Sequence, residues 1–118
     1  MEEHNQLFIV ILSIGIAMTV LHEYVTDVLM RDLIGHDRRP VCFLVYLWLT
    51  AEQQRRNSEV EISYRQLAES IGIAKSSTQA AVGWLVRRKL LAVSKDNVTA
   101  TPRYSVLTPW RDRGRLPR

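Results

Sequence analysis

Residues 64–91 hold two short stretches with the apolar spacing of a helix, separated by one glycine, and no other part of the chain restricts the fold as strongly. In the first stretch the apolar residues share one helix face: Leu67, Ala68 and Ile71. Ser63 and Gln66 stand at the two positions of a capping box, so we expect the helix to begin there. Gly72 can adopt the positive φ that ends a helix. The pattern predicts a short amphipathic helix followed by a tight turn.

The second stretch predicts a helix over about residues 76–88. Ser76 or Ser77 is expected to cap this helix by accepting hydrogen bonds from its first N–H groups. Its core stripe repeats at helical spacing: Thr78, Ala81, Val82 and Leu85. The outer face is polar and small at its start and basic at its end, which suits a helix that enters the major groove of DNA.

Three short segments have the character of β-strands. Residues 60–62 fit only a short strand, and residues 90–93 and 103–107 fit two strands on either side of a polar turn. Because Pro102 lacks a backbone N–H, we expect it on an edge strand or at a bulge. The last two strands predict a hairpin directly after the second helix, with a loop over about residues 94–103.

Two more helices are predicted before this region. Residues 22–33 carry an apolar stripe at helical spacing, and Gly35 is expected to end that helix. The next helix should begin at Pro40, a favourable first-turn residue, and run to Asn57. Its first part, residues 41–49, is apolar without interruption, so we expect it to be buried on more than one side.

The run from residue 7 to residue 21 is almost entirely apolar, and its structure stays open between several interpretations. The run is shorter than the roughly 20 residues of a transmembrane helix, so a membrane anchor is disfavoured. Glu2 and Glu3 are acidic, whereas a secretory signal begins with basic residues. Many β-branched residues favour buried strands around a turn, and a buried or dimer-forming helix remains as another interpretation.

Charge is divided unequally along the 118 residues, a length that suits one domain. Residues 1–37 have a net charge of −5, whereas residues 38–118 have a net charge of +9, which indicates a polyanionic partner for the second part. The single Cys42 lies in an apolar run and suits a reducing cytoplasm. Since the chain lacks metal-ligand spacing, a glycine-rich phosphate loop and a nucleophile–histidine–acid set, we expect no metal site, no cofactor and no enzymatic activity.

The order helix, short strand, helix, turn, helix and hairpin over residues 40–107 resembles the winged helix-turn-helix family, in particular bacterial transcription regulators and replication initiators. The small, turn and apolar positions of that family are matched by Ala68, Gly72, Ile73, Thr78 and Leu85. The resemblance implies an α+β, mostly α fold. Outside the resembling region, the residues themselves predict an apolar N-terminal extension of strands or helix over residues 1–37, as a dimerisation or core segment. The winged helix-turn-helix domain then covers residues 38–108, and a basic flexible tail follows over residues 109–118. Lys89 departs from the pattern, since the family usually has a glycine before the strand.

Double-stranded DNA is therefore the expected partner, with residues 76–88 as recognition helix and the hairpin loop as wing. Lys75, Arg87 and Arg88 are expected to neutralise phosphates. The remaining expected contacts are polar side chains on the helix and at the wing tip: Ser76, Ser77, Gln79, Lys95 and Asn97. Of these, Gln79 is the expected base reader, because its amide can pair bidentately with adenine. Trp84 is expected to pack on the wing or to anchor an interface.

These observations together predict a cytoplasmic, homodimeric regulator of transcription that binds DNA specifically or semi-specifically. The alternative is a winged-helix module for protein–protein interaction, or an accessory protein of replication or partition, attached to a membrane through residues 7–21.

Overall fold

The computed structural model of the protein describes residues 21–113, with side chains up to residue 111, as a mostly helical fold with one small antiparallel sheet. The predicted α+β, mostly α class is confirmed at that level. The predictions for residues 7–20 and 114–118 lie outside the described part of the chain. The elements in chain order are α1 (residues 23–36), α2 (Pro40–Arg56), β1 (Val60–Glu61), α3 (Tyr64–Ile71), α4 (Lys75–Arg87), β2 (Leu91–Ser94), β3 (Arg103–Val106) and α5 (Pro109–Arg113).

Helix α2 is the central element of the fold. Pro40 stands in its first turn, as predicted, and Asn57 ends it in the left-handed conformation with φ 54°. Its buried side chains point to several neighbours at once: Cys42, Phe43, Val45, Tyr46, Leu49 and Glu52. Glu52 is buried with an ionic partner, because Arg55 and Arg56 both donate to its carboxylate. Hydrogen bonds from Arg55 lower the pKa of Glu52 despite its burial.

Helix α1 extends further than the sequence predicts. It contains two π-helical stretches, Val25–Leu29 and Arg31–His36, so Gly35 lies inside the helix and does not end it. The helix continues because the wider i→i+5 pattern is kept to its last turn, where the N–H of Asp37 donates to the carbonyl of Asp32 over 2.7 Å. This extension carries the acidic end of α1 toward α4.

The sheet has the order β1-β3-β2, so β3 is its central strand. Tyr104 of β3 faces Val60 on one side and Val93 on the other. The expectation that Pro102 occupies an edge strand or a bulge is wrong. Pro102 lies just before the central strand, where a missing N–H interrupts no ladder, and its carbonyl accepts a hydrogen bond from Ile62 over 3.2 Å.

One hydrophobic core joins α1 to the rest of the fold. Its most deeply buried side chains come from every major element: Leu33, Val45, Leu49, Val60, Leu67, Leu85, Leu91 and Tyr104. The prediction of a flexible tail is wrong for residues 109–113, which form α5; Trp110 packs against the core there, with its ring stacked on Tyr24 at 4.6 Å. Among residues 21–113, no helix combines the length and the apolar character that crossing a membrane requires.

Candidate nucleic-acid interface

The turn between α3 and α4 is built from local hydrogen bonds that the sequence predicts. The N–H of Gln66 donates to the hydroxyl of Ser63 over 3.1 Å, and the N–H of Ser63 donates back to the Gln66 amide oxygen, which completes the capping box. Gly72 ends α3 at φ 90°, and its N–H donates to the carbonyl of Ala68. These contacts fix the direction in which the chain leaves α3 and enters α4.

The N-cap of α4 lies two or three residues before the predicted caps. Ala74 is its N-cap, in an extended conformation, and the expectation that Ser76 or Ser77 caps the helix is wrong. An N-cap must have non-helical backbone angles, and the chain is already helical at both serines. Both serines are exposed, and their hydroxyl groups make no hydrogen bond to other residues between 21 and 113. They are therefore available for an external partner.

The two faces of α4 differ sharply. The inner face is buried in the core: Thr78, Ala81, Val82 and Leu85. Thr78 is accommodated there because its hydroxyl donates to the carbonyl of Ala74 over 3.0 Å. The outer face is exposed at Lys75, Gln79 and Ala80, and a side chain at Gly83 would meet only the end of Arg87, at 3.8 Å. This small outer face leaves room for a large partner to approach the backbone of α4.

The two arginines at the end of α4 have different surroundings. Arg87 is exposed and forms no ion pair within the described residues, and its guanidinium lies 5.6 Å from the ring of Trp84. Arg88 instead lies 3.3 Å from Asp37 and 3.9 Å from Asp32. Acidic groups of α1 already offset the charge of Arg88, which makes it the weakest of the expected phosphate contacts.

Trp84 contacts the segment between α1 and α2, so the expectation that it packs on the loop between β2 and β3 is wrong, whereas its role as an interface anchor stays a prediction. Its indole N–H donates to the carboxylate of Asp37 over 3.0 Å, and the guanidinium of Arg39 stacks on its ring at 4.0 Å. Burial alone would raise the pKa of Asp37, but hydrogen bonds from His36 and Trp84, together with the charge of Arg88, lower it below its usual value. Asp37 is therefore ionised and joins the end of α1 to α4.

The loop between β2 and β3, residues 95–102, is ordered by its own polar side chains. The side-chain oxygen of Asn97 accepts hydrogen bonds from the N–H and the hydroxyl of Thr99, both at 3.0 Å. Asp96 pairs with Arg103 at 2.8 Å, and the hydrogen bond from Arg103 lowers the pKa of Asp96. Lys95 is exposed and has no ionic partner among residues 21–111. Asn97 thus shapes the loop, while Lys95 presents an uncompensated charge.

Arg38 and Arg39 are candidate contacts that sequence reasoning missed. Both lie beside the outer face of α4, where they line a cavity of about 240 Å³ together with Ser77 and Ala80. The sequence signal is the pair of adjacent arginines directly before Pro40, but their position beside α4 depends on how α2 and α4 pack together. They extend the basic surface of α4 toward the start of α2.

Comparison of the chain with protein-family models, with curated proteins and with solved structures gave no match. Within the described range, no group of three or more histidine, cysteine, aspartate or glutamate side chains is placed to hold a metal ion. The functional assignment therefore rests on the geometry and charge of α4 and the loop that follows it.

Proposed function

We propose that this protein binds double-stranded DNA as a winged helix-turn-helix, with α4 as recognition helix and residues 95–102 as wing, and that it acts as a homodimeric transcription regulator without enzymatic activity. The observation that carries the proposal is the outer face of α4. It is exposed, polar and small, whereas the inner face of the same helix is buried in the core. A surface helix with unpaired cations and free hydroxyl groups on its outer face suits a polyanion better than an apolar partner.

The dimensions of α4 support the major groove as its place of contact. Thirteen residues make a helix of about 20 Å, and an α-helix with its side chains is about 10–12 Å wide, close to the width of the groove. Ala80 and Gly83 keep the outer face thin, so the helix can lie deep enough for Gln79 to reach a base edge. The hydroxyl groups of Ser76 and Ser77 are near the helix start, where phosphates are most favourably bound.

The number of positive charges around α4 predicts how steeply DNA affinity should fall with salt concentration. Three cations without ionic partners come from α4 and the wing (Lys75, Arg87 and Lys95), and Arg38 and Arg39 lie beside them. Neutralising about five phosphates makes the slope of log affinity against log salt about −4 to −5. Each lost phosphate contact should flatten that slope by about 0.9.

The direct test is fluorescence anisotropy of a labelled duplex over a range of salt concentrations. Lys75→Ala combined with Arg87→Ala should weaken binding to all duplexes and flatten the slope by about 2. Arg55→Ala is a control that removes one positive charge at the far end of α2, where Glu52 keeps Arg56 as a partner, and it should leave the slope unchanged. Absence of duplex binding at low salt would contradict the function, and a slope that the double substitution leaves unchanged would contradict the assigned contacts.

Sequence preference depends on a different residue. Selection from random duplexes should recover a preferred site, and Gln79→Ala should relax the preference at an adenine, at a cost of about 1–3 kcal/mol. Selection that yields no preferred sequence would leave non-specific binding as the function of α4.

The homodimer is supported by apolar side chains that the described residues leave uncovered. Met30 and Ile34, about one turn apart on α1, are 38% and 40% exposed. We propose that a second copy covers them, because paired half-sites multiply affinity for DNA. Sedimentation should show a dimer that Met30→Glu with Ile34→Glu converts to a folded monomer. A wild-type monomer that binds no duplex would instead favour the alternative, a protein-interaction module.

A further inference from the structure

A cavity of about 140 Å³ lies where α1, α2, β3 and α5 meet, away from the outer face of α4. The lining residues that supply its apolar surface and its polar groups include His22, Val25, Tyr46, Gln53, Trp110 and Arg111. Val25 and Tyr46 are 3% and 1% exposed, whereas His22 and Arg111 are open to solvent. The cavity thus runs from a buried apolar end to an exposed polar end.

The cavity as a whole is large enough for a single aromatic ring. An apolar cavity of about 150 Å³ in a folded protein is large enough to bind benzene. In this protein the comparable volume of about 140 Å³ belongs to the whole cavity, and the side chain of Val25 and the rings of Tyr46 and Trp110 form part of its lining. The Trp110 ring is held in place by stacking on Tyr24, so this wall does not depend on a bound ligand.

The polar end offers hydrogen-bond donors and positive charge. The Tyr46 hydroxyl group donates to the carbonyl of Leu107 over 3.0 Å, and the exposed Arg111 lines the same cavity. Arg111 forms no ion pair with other residues between 21 and 111. No carboxylate is found among the lining residues in that range.

The other polar groups are also turned into donors by contacts of their own. His22 Nδ1 accepts a hydrogen bond from the N–H of Tyr24 over 3.0 Å, so the neutral ring carries its proton on Nε2. The side-chain oxygen of Gln53 accepts from the N–H of Val106 over 2.7 Å, which leaves only its NH₂ group for another partner. A ligand that accepts several hydrogen bonds and carries negative charge fits this end.

We infer that the cavity binds a small organic carboxylate whose apolar body is about the size of a benzene ring. The carboxylate accepts hydrogen bonds from Arg111 and His22, and the ring fills the space beside Val25 and Trp110. Such a ligand bridges α1, α2 and α5, and it stabilises the docking of both outer helices on α2. The inference does not depend on DNA binding, because none of the lining residues belongs to α4 or to the wing.

Calorimetric titration of the full chain with benzoate tests the inference, with benzamide and acetate as comparison ligands. Benzoate should bind, whereas benzamide lacks the charge and acetate lacks the ring, so both should bind at least about tenfold more weakly. Arg111→Gln should weaken benzoate binding about ten- to a hundredfold, the range expected for a lost charge-assisted hydrogen bond. His22→Phe keeps a ring but removes the donor, and it should weaken binding severalfold.

Arg31→Gln is the matched control, since it makes the same charge change at an exposed position of α1 that does not line the cavity. Equal affinity for benzoate and benzamide would overturn the inference, as would equal loss in the Arg111 and Arg31 variants. Absence of binding by benzoate up to about 10 mM would also overturn it. Because both arginines are exposed, the variants should fold like the parent chain, which circular dichroism checks.

Discussion

Asp37→Ala should destabilise the protein strongly, because Asp37 joins α1 to α4 with a carboxylate that is only 7% exposed. The indole N–H of Trp84 donates to this carboxylate over 3.0 Å, and a buried charge-assisted hydrogen bond contributes about 1.5–3 kcal/mol. The pair with Arg88 adds about 0–1 kcal/mol, since the Arg88 side chain is 41% exposed. The side chain of His36 is 85% exposed, so we expect its contact with Asp37 to add nothing to the stability. The expected loss is therefore about 1.5–4 kcal/mol.

Urea unfolding followed by circular dichroism measures this loss. With a slope of about 1.5 kcal/mol per M, the midpoint should fall by about 1–3 M. Asp27→Ala is the control, because Asp27 is exposed and its carboxylate only accepts a hydrogen bond from the neighbouring Thr26. The control should change stability by less than about 0.5 kcal/mol. Equal losses in the two variants would refute the role given to the contact between Asp37 and Trp84.

The same contact predicts a dependence on pH. The pKa of Asp37 is lowered in the folded protein, so the carboxylate contributes its stability above the unfolded pKa of about 3.9. That contribution is lost as the pH falls through the lower pKa of the folded state. The difference in stability between the parent chain and Asp37→Ala should therefore shrink below about pH 4. A difference that stays constant down to pH 2 would show that the charge of Asp37 is not responsible.

Three further outcomes are expected. Gly72→Ala should lower the free energy of unfolding in urea by about 1 kcal/mol, because Gly72 has φ 90°. Gly35→Ala, inside α1, should leave that free energy unchanged or raise it by about 0.5–1 kcal/mol. Burial raises the pKa of Tyr46 and Tyr104. In an alkaline absorbance titration both should therefore ionise only as the chain unfolds, above about pH 10. Reversible ionisation of all tyrosines in the folded protein would contradict this expectation. Hydrogen bonds from Arg55 lower the pKa of Glu52, so Glu52→Gln should be less stable than the parent chain above about pH 4.3, and the difference should vanish in acid.

Local chemistry made parts of the fold predictable. The capping box of Ser63 and Gln66, the positive φ of Gly72 and the first-turn position of Pro40 each depend on residues within a few positions of one another. Lys89 shows that the local conformation can be kept without the residue that usually favours it. It stands where the resembling family usually has glycine, and it adopts φ 60°, so the left-handed conformation is present although glycine is not.

Long-range contacts explain most of what the sequence did not predict. Trp84 and Asp37 are 47 positions apart, and their hydrogen bond exists only because α1 continues through Gly35 as a π-helix. The pairing of Arg88 with Asp37 follows from the same extension. The sequence alone therefore could not show that Arg88 has an ionic partner whereas Arg87, among the described residues, does not. Of the candidate site residues, those on the outer face of α4 were predictable from helical spacing, whereas Arg38 and Arg39 depend on how α2 and α4 pack together.

The position of β3 between β1 and β2 also determines when the fold can be completed during synthesis. β1 is made more than forty residues before its partner, since Val60 pairs with Tyr104, and β2 also waits for residues 103–106. The three helices α2, α3 and α4 can pack on one another as they leave the ribosome, but both earlier strands stay unpaired until β3 emerges. A chain that is cut short before residue 103 therefore exposes two open strand edges together with Val60 and Leu91, and we expect such fragments to aggregate or to be degraded. Only chains that extend through β3 can therefore pair all three strands.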